Sequence, residues 1–217
     1  PEPVQQLRSA FYPRLRDVAN RWNEAMGLEP RFPDAHDDFL LRGHAAGQTR
    51  PTPLLLQYGE GDYNCLHQDL YGEHVFPLQV AVLLAAPGAD FLGGEFVLTE
   101  QRPRMQSRPT VVPLAQGDAV IFAVHHRPVR GTRGFYRVNM RHGVSRILAG
   151  HRHTLGVIFH DAKTCHNNSN ARFGMPQRLK KEANVETLVL EGDLCDLRFY
   201  SEGQSHTKIE AFIEQLT

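Results

Sequence analysis

Cysteine is scarce in this sequence, and the few cysteines form no recognisable pattern. The chain of 217 residues has three of them, an odd number at unrelated spacings and with no CxxC pair: Cys65, Cys165 and Cys195. Such a set argues against a disulfide scaffold and is typical of a reduced compartment. We therefore expect a cytoplasmic protein.

Long apolar runs and an excess of one charge are also missing. The longest apolar runs, such as LQVAVLLAAPG, are far too short to cross a bilayer, and the first residues, PEPVQQLRS, lack a secretory apolar core. Basic and acidic residues number 24 each, so the molecule as a whole lacks the positive charge that would by itself indicate a nucleic-acid partner. A hydrophobic content of 41% suffices for one sizeable core. We expect no membrane partner.

What the sequence does contain is two kinds of hydrophobic pattern. Apolar residues at spacings of three and four between residues 3 and 26 predict a helix, in which Pro13 is a candidate kink. A second, more polar helix is predicted from Pro33-Asp34 to the region of residues 43–47. From Thr52 onward, short apolar runs alternate with Gly and Pro, the pattern of an antiparallel barrel or jelly roll.

These patterns predict a division into three parts. N-terminal helices occupy residues 1–50, a β core occupies residues 51–162, and an extension of unknown role occupies residues 163–217. The extension begins with a polar stretch typical of a linker, and its later part predicts two strands around a Gly192-Asp193 turn and then a short helix.

The motif His-x-Asp occurs twice, at His36–Asp38 and at His67–Asp69. On a helix, positions i and i+2 point about 200° apart, whereas on a strand they share a face, with α-carbons about 6.6 Å apart. His36 and Asp38 fall in the predicted second helix, and His67 and Asp69 fall at the start of the strand region. Only the second pair is therefore expected to bind a metal jointly, and we interpret His36 as part of a solvated helix face.

A further histidine and an arginine follow in the strand region. His142 ends the apolar run YRVNM, and Arg152 starts the run RHTLGVIF ten residues later. A reversal through residues 143–150 is predicted to make these two strand ends antiparallel neighbours. Alternation then places two sets on opposite faces: Arg152, Thr154, Gly156 and Ile158 on one, and Leu155, Val157 and Phe159 on the other. A guanidinium inside a barrel indicates an anionic ligand.

Taken together, His67, Asp69, His142 and Arg152 resemble the signature of the Fe(II)- and 2-oxoglutarate-dependent oxygenases. The resemblance covers roughly residues 53–161 and points to the prolyl-hydroxylase-like branch, through Tyr58-Gly59, then GGEF at residues 93–96, then QGDAVIF at residues 116–122. It extends to a bacterial oxygenase family regarded as acting on damaged nucleic acid. The fold implied is mostly β, a double-stranded β-helix (a cupin-like jelly roll) with flanking helices.

The resemblance also implies ligands and a reaction. His67, Asp69 and His142 would hold Fe(II), which leaves positions for 2-oxoglutarate and O2. The far carboxylate of 2-oxoglutarate would meet Arg152, with Thr154 and Tyr58 as further contacts. The products would be succinate, CO2 and a hydroxylated substrate, and hydroxylation of an N-methyl group would lead to demethylation.

Charge is unevenly distributed along the neutral chain. Between Gln101 and His153 there are ten basic residues, all arginine, and one acidic residue, Asp118. An arginine-rich face beside the metal fits a phosphate backbone, and access to a base would need single-stranded or flipped nucleic acid. We take Arg102, Arg104 and Arg108 as candidate substrate residues, in an enzyme with a role in DNA repair.

Other interpretations stay open at this point. The motif order also fits a protein (prolyl) hydroxylase, whose peptide would bind a groove formed by GEGDYNCL and QRPRMQSRP. A non-catalytic cupin-like binding module would keep the barrel but would not need Arg152. An arginine-rich segment can also be an ordinary solvated surface. Zinc is a weaker alternative, since its candidate ligands lack cysteine partners at finger spacing: His125, His126, His151 and His153.

Overall fold

A computed structural model describes residues 2–29, 31–163 and 188–190, the last segment as backbone alone. Two helices come first, α1 (Glu2–Met26) and α2 (His36–Ala45). The strands that follow are β1 (Leu54–Tyr58), β2 (Asn64–His67), β3 (Leu78–Leu83), β4 (Phe91–Gly93), β5 (Phe96–Gln101), β6 (Arg108–Val112), β7 (Ala119–Ala123), β8 (His126–Gly131), β9 (Gly134–Val144), β10 (Ile147–Gly150), β11 (Arg152–Val157) and β12 (Leu188–Leu190). The mostly β composition with flanking helices is confirmed.

The strands form two main sheets that pack face to face. The first sheet has the order β1-β11-β3-β7-β12, and the second has the order β2-β9-β5-β6, with β8 also paired to β9. Side chains of both sheets share one core cluster, for example Ala81 and Phe122 of the first with Phe96 and Leu98 of the second. Except for the parallel pair β12 and β7, the ladders are antiparallel. This architecture is the double-stranded β-helix predicted from the sequence.

Helix α1 covers the outer face of the first sheet. Its apolar stripe, including Tyr12 and Leu15, packs against Val80, Ile121 and Val157 of that sheet. The stripe confirms the helical spacing read from the sequence, and Pro13 lies within a helix that continues to Met26. Full burial of each large apolar side chain contributes about 1.5–3 kcal/mol, so the stripe fixes the helix on the sheet.

Our interpretation of His36 is wrong. Its side chain is 6% exposed, and its Nε2 lies 2.8 Å from the carbonyl oxygen of Phe159. Burial, partly opposed by this hydrogen bond, lowers the pKa of His36. Asp37 and Asp38, the next two residues, are exposed. The first turn of α2 therefore has one buried side, which carries His36, and one solvated side.

The predicted pairing of the strands that carry His142 and Arg152 is also wrong. His142 belongs to β9 in the second sheet, whereas Arg152 starts β11, which pairs with β1 and β3 in the first. The intervening residues form β10, which pairs with β4. The two residues therefore belong to different sheets. Strand β8 was not predicted, because its sequence HRPVRG lacks an apolar run.

Little of the C-terminal extension falls within the described residues. Leu188–Leu190 forms a strand, as its apolar pattern predicts, and pairs with β7. The predicted linker, the Gly192-Asp193 turn and the final helix lie outside the described residues. The division of the chain at residues 50 and 162 stays a prediction. No helix among the described residues is both long and apolar enough to span a membrane.

Candidate metal centre and cosubstrate cavity

The structure brings His67, Asp69 and His142 together at one point inside the barrel. His67 at the end of β2 stands directly opposite His142 of β9 in the ladder, and Asp69 follows two residues after β2. Their candidate ligand atoms all lie within 4.8 Å of one another. His67 Nε2 is 3.4 Å from Asp69 Oδ1, and His142 Nε2 is 3.2 Å from Asp69 Oδ2. Two imidazoles and one carboxylate thus converge, as the resemblance implies.

Hydrogen bonding sets the protonation of this group. Burial would raise the pKa of Asp69, but hydrogen bonds from His142 and His67 hold that pKa well below its usual value. Burial lowers the pKa of His142, which favours the neutral ring that a metal ligand needs. His67 Nδ1 lies 2.7 Å from the carbonyl oxygen of Cys65 and donates to it, so Nε2 faces the carboxylate. Burial lowers the pKa of His67, but the hydrogen bond to Asp69 outweighs it and the pKa is raised, so Nε2 carries a proton toward Asp69. A metal at Nε2 would displace that proton.

Three further residues hold Asp69, and the sequence analysis missed all of them. The Tyr71 hydroxyl donates to Asp69 Oδ1, and Gln79 Nε2 donates to Asp69 Oδ2 at 2.8 Å. His160 Nε2 lies 3.2 Å from the main-chain oxygen of Asp69. One signal was present, because Gln79 is the single polar residue in the apolar strand LQVAVL.

The metal-binding group opens into a cavity shared by both sheets. Alternation along β11 placed Arg152, Thr154, Gly156 and Ile158 on one face, and all four line this cavity. Val157 and Phe159 are in the core cluster beneath α1, and Leu155 packs against it, so the opposite face is also as predicted. The remaining lining residues come from both sheets: Leu54, Leu56, Tyr58, Asn64, His67, Asp69, Gln79, Ala81, Phe96, Phe122, His142, Gly143 and Val144.

Arg152 is a buried cation with no acidic partner among the described residues. Its side chain is 2% exposed, its Nη1 donates to Thr154 Oγ1, and its Nε has no hydrogen-bond partner. The guanidinium carbon lies 5.7 Å from the centre of the Tyr58 ring, whose hydroxyl accepts a bond from Asn64 Nδ2 at 3.4 Å. Burial lowers the pKa of Arg152 to about 10, so the side chain is still charged at neutral pH. A buried, unpaired guanidinium requires an anion.

The residues of the cavity fit the cofactors predicted from the sequence, Fe(II), 2-oxoglutarate and O2. Two histidines and one carboxylate on one side of an ion leave coordination positions open, as in iron oxygenases. Arg152 offers a planar donor set for the second carboxylate of a dicarboxylic acid. A binding module without catalysis would not need Arg152. The four histidines proposed for zinc are absent from any potential metal-binding group in the described part of the chain.

The ten arginines between residues 101 and 153 do not form one face. Arg152 lies in the cavity, the guanidinium of Arg146 lies 5.3 Å from the centre of the Tyr63 ring, and Arg137 donates to the main-chain oxygen of Met26 at 2.8 Å. The candidate substrate residues Arg102, Arg104 and Arg108 lie in the β5–β6 hairpin and outside the cavity lining.

Comparison with proteins of known sequence gives close relatives. Two uncharacterized proteins of Mycobacterium tuberculosis, from strains CDC 1551 / Oshkosh and H37Rv, are each 52% identical to this chain over 159 residues. The match covers 73% of this chain and 68% of each relative.

Two solved structures are more distant. One is an oxidoreductase of the 2OG-Fe(II) oxygenase family from Burkholderia pseudomallei, 19% identical with a TM-score of 0.32, over 61% of this chain and 62% of that one. The other is a prolyl-4-hydroxylase from Pseudomonas putida, 17% identical with a TM-score of 0.32, over 68% of this chain and 80% of that one.

Two family models match the sequence. The D-component of 2-hydroxyglutaryl-CoA dehydratase matches residues 140–216, which is less than half of the chain. The Oxygenase-NA model, described as an oxygenase catalysing oxidative methylation of damaged DNA, matches residues 1–162 and so spans both helices and the whole cavity. The chain therefore belongs to the Oxygenase-NA family and is an oxygenase, with a cavity that fits Fe(II), 2-oxoglutarate and O2.

Proposed function

We propose that this chain hydroxylates or oxidatively demethylates damaged or alkylated bases in nucleic acid, with release of succinate and CO2. The observation that carries the reaction class is one cavity that holds both the His67, Asp69 and His142 group and the buried, unpaired Arg152. The substrate class rests on the family description, which names damaged DNA, and on the charges around the cavity. In this proposal the enzyme acts in DNA repair in the cytoplasm.

Within the cavity, the side chains divide the work between binding and shielding. His67, Asp69 and His142 hold Fe(II), which when bound supplies the activation of O2 coupled to decarboxylation of 2-oxoglutarate. Arg152 and Thr154 bind the far carboxylate of 2-oxoglutarate, and Tyr58 contacts the same molecule. The other walls are mostly apolar, including Leu56, Phe96, Phe122 and Val144, so they keep bulk water away from the oxidant.

The arrangement along strand β5 supports a substrate position on one side of the metal-binding group. Leu98, in the middle of β5, stands opposite His142. Arg152 lies close to the start of β5. Gly94 comes two residues before that strand, and a Cβ atom placed on Gly94 would be 3.0 Å from Arg152 Cδ. At its other end, Glu100 stands two residues beyond Leu98, which is about 7 Å along a strand. Arg152, which would bind 2-oxoglutarate, and the β5–β6 hairpin are thus on opposite sides of the metal-binding group.

Several arginines cluster on the hairpin side. Glu100 is 8% exposed and pairs with three arginines: Arg102 at 2.9 Å, Arg108 at 3.8 Å and Arg127 at a shorter distance. Arg104 lies in the exposed turn of the same hairpin. This concentration of arginines supports binding of a phosphate backbone beside the metal, with the target base turned into the cavity.

The test combines turnover with salt dependence. We expect single-stranded oligonucleotides that carry an N-methylated base to stimulate succinate release, and their affinity to fall with salt at a log-log slope of about 0.7 per phosphate contact. Replacing Arg102, Arg104 and Arg108 together by alanine is expected to weaken oligonucleotide binding and flatten the slope by about 2. Turnover of 2-oxoglutarate without substrate is expected to stay unchanged, because Arg152 and the metal ligands are intact.

A matched control replaces three arginines on or just after α1, Arg14, Arg21 and Arg31, which removes the same charge from another side of the barrel. This variant is expected to keep the wild-type slope. The proposal fails if wild-type protein does not bind oligonucleotides at low salt. It also fails if a proline-containing peptide stimulates succinate release and a methylated oligonucleotide does not, in which case the enzyme is a protein hydroxylase.

A further inference from the structure

Gln79 reaches the metal ligands from the opposite sheet. It lies in β3 of the first sheet, while His67 and His142 lie in β2 and β9 of the second. Along β3, Leu78, Val80 and Val82 face α1, whereas Gln79 lines the cavity with Ala81. The Gln79 side chain is 5% exposed, so an amide stands alone among apolar neighbours of its strand.

Its amide nitrogen contacts two of the three candidate ligands. Gln79 Nε2 lies 2.8 Å from Asp69 Oδ2 and 3.3 Å from His142 Nε2. The Tyr71 hydroxyl donates to the other oxygen of the same carboxylate, Asp69 Oδ1. Both oxygens of Asp69 are therefore held by side chains that do not belong to the metal-binding group, and the plane of the carboxylate is fixed.

This arrangement is unfavourable for folding alone. Gln79 Oε1 is buried and accepts no hydrogen bond from the described residues. A buried acceptor without a partner destabilises a fold, and an apolar side chain of similar size at this position would avoid that cost. The hydrogen bond from the amide nitrogen to Asp69 gives a reason for a glutamine at this position.

We propose that Gln79, together with Tyr71, is a positioning residue that orients the Asp69 carboxylate toward the metal. The inference rests on the proposed function only in that it requires a divalent metal at this group. Two donors, one on each oxygen of the carboxylate, select the orientation in which its remaining lone pairs face the ion.

The experiment measures metal affinity without turnover. Mn(II), a divalent probe that does not oxidise readily, is titrated into metal-free protein by calorimetry for the wild type, Gln79→Met and Tyr71→Phe. We expect Mn(II) affinity to fall about 10- to 100-fold in Gln79→Met, and to fall also in Tyr71→Phe. The melting temperature of metal-free Gln79→Met is expected to equal or exceed that of the wild type, since the buried, unpaired oxygen is gone.

The matched control is Gln116→Met, because Gln116 is an exposed glutamine outside the metal-binding group that donates to the main-chain oxygen of Leu84 at 3.0 Å. It is expected to leave Mn(II) affinity unchanged. Gln79→Met protein that binds Mn(II) within about threefold of the wild type overturns the inference. If metal-free Gln79→Met melts well below the wild type, and its loss of Mn(II) affinity is no larger than that loss of stability accounts for, Gln79 has only a structural role. If wild-type protein binds no Mn(II), the proposed metal site itself fails, which is a separate result.

Discussion

The same three-residue motif occurs in two regions of this molecule and has different consequences in each. His36 and Asp38 lie in helix α2, where the histidine is buried against Phe159 and the aspartate faces solvent. His67 ends strand β2 and Asp69 follows it, and both side chains face the same point of the cavity. The helix separates the side chains of the first pair, whereas the end of β2 and the residues that follow it bring those of the second pair together.

The first way to sharpen this comparison is to remove the carboxylate of each pair. Asp69→Ala is expected to abolish measurable Mn(II) binding, a loss of more than about 100-fold. Removing a metal ligand has a larger effect than removing a residue, such as Gln79, that only holds a ligand in place. Asp38→Ala is expected to bind Mn(II) as the wild type does, because Asp38 is exposed on α2. Calorimetric titration of both metal-free variants makes the measurement. Equal affinity in the two variants would contradict the assignment of the metal site.

A second comparison sets the buried arginine of the cavity against an exposed one. Arg152→Ala is expected to weaken 2-oxoglutarate binding by about 2–5 kcal/mol, because a desolvated charge-assisted pair is lost. Affinity for Mn(II) should be nearly unchanged, since Arg152 is absent from the metal-binding group. Titration of 2-oxoglutarate into the Mn(II)-loaded protein measures the effect. Arg146→Ala is the control, because Arg146 lies over the exposed Tyr63. Undiminished 2-oxoglutarate binding by Arg152→Ala would rule out the role.

A third test compares how the removal of His36 and of His67 changes the stability of the fold. His36→Ala is expected to lower the free energy of unfolding by about 1–3 kcal/mol, because it removes a buried side chain and leaves the Phe159 carbonyl oxygen unpaired. Its Mn(II) affinity should not change. His67→Ala is expected to lose Mn(II) affinity with a smaller change in stability, since His67 is only partly buried. Urea unfolding of the metal-free proteins gives the comparison, and the reverse order of the two stability effects would contradict it.

The smallest expected effect is a pH dependence of folding. Burial lowers the pKa of His160 to about 4, and burial also lowers that of His36. The unfolded chain therefore binds more protons than the folded chain once the pH is below about 6.5. Stability from these groups is fully present above that value and is lost as the pH falls toward 4. His160 Nδ1 accepts from the Phe76 amide, and a protonated ring cannot do so.

Urea unfolding at pH 7.5, 6.5 and 5.5 checks this prediction. The free energy of unfolding is expected to fall across the interval, and the fall should be smaller in the double variant with His36→Gln and His160→Gln. An equal fall in that variant would assign the pH dependence to other groups.

The sequence was sufficient for the parts of the site that depend on local periodicity. The strand placement of His67, the order of His142 and Arg152, and the alternation that brings Thr154 into the cavity all follow from patterns within a few residues. The antiparallel jelly roll was also correct, because short apolar runs bounded by Gly and Pro are typical of strands and turns. Its description as a double-stranded β-helix came from the family resemblance.

The errors concern contacts between distant segments. The burial of His36 depends on how α2 packs against Phe159, which follows β11, and nothing in residues 33–47 shows that contact. The sheet to which β11 belongs depends on β10, a strand of four residues that pairs with β4. Gln79 was overlooked because its partners, Asp69 and His142, come from other strands. Its isolation among apolar residues was a signal, but that signal does not name a partner.

The pairing of strand β9 determines when the metal site forms during folding. It pairs with β2, β5 and β8, and the register of its pairing with β2 places His142 beside His67, which is far away in the sequence. Pairings of such high sequence separation close slowly and late in folding, so the unfolded chain contains no preformed metal site. Metal in the growth medium would then act only on chains that have already closed the barrel, and would slow their unfolding without speeding their folding.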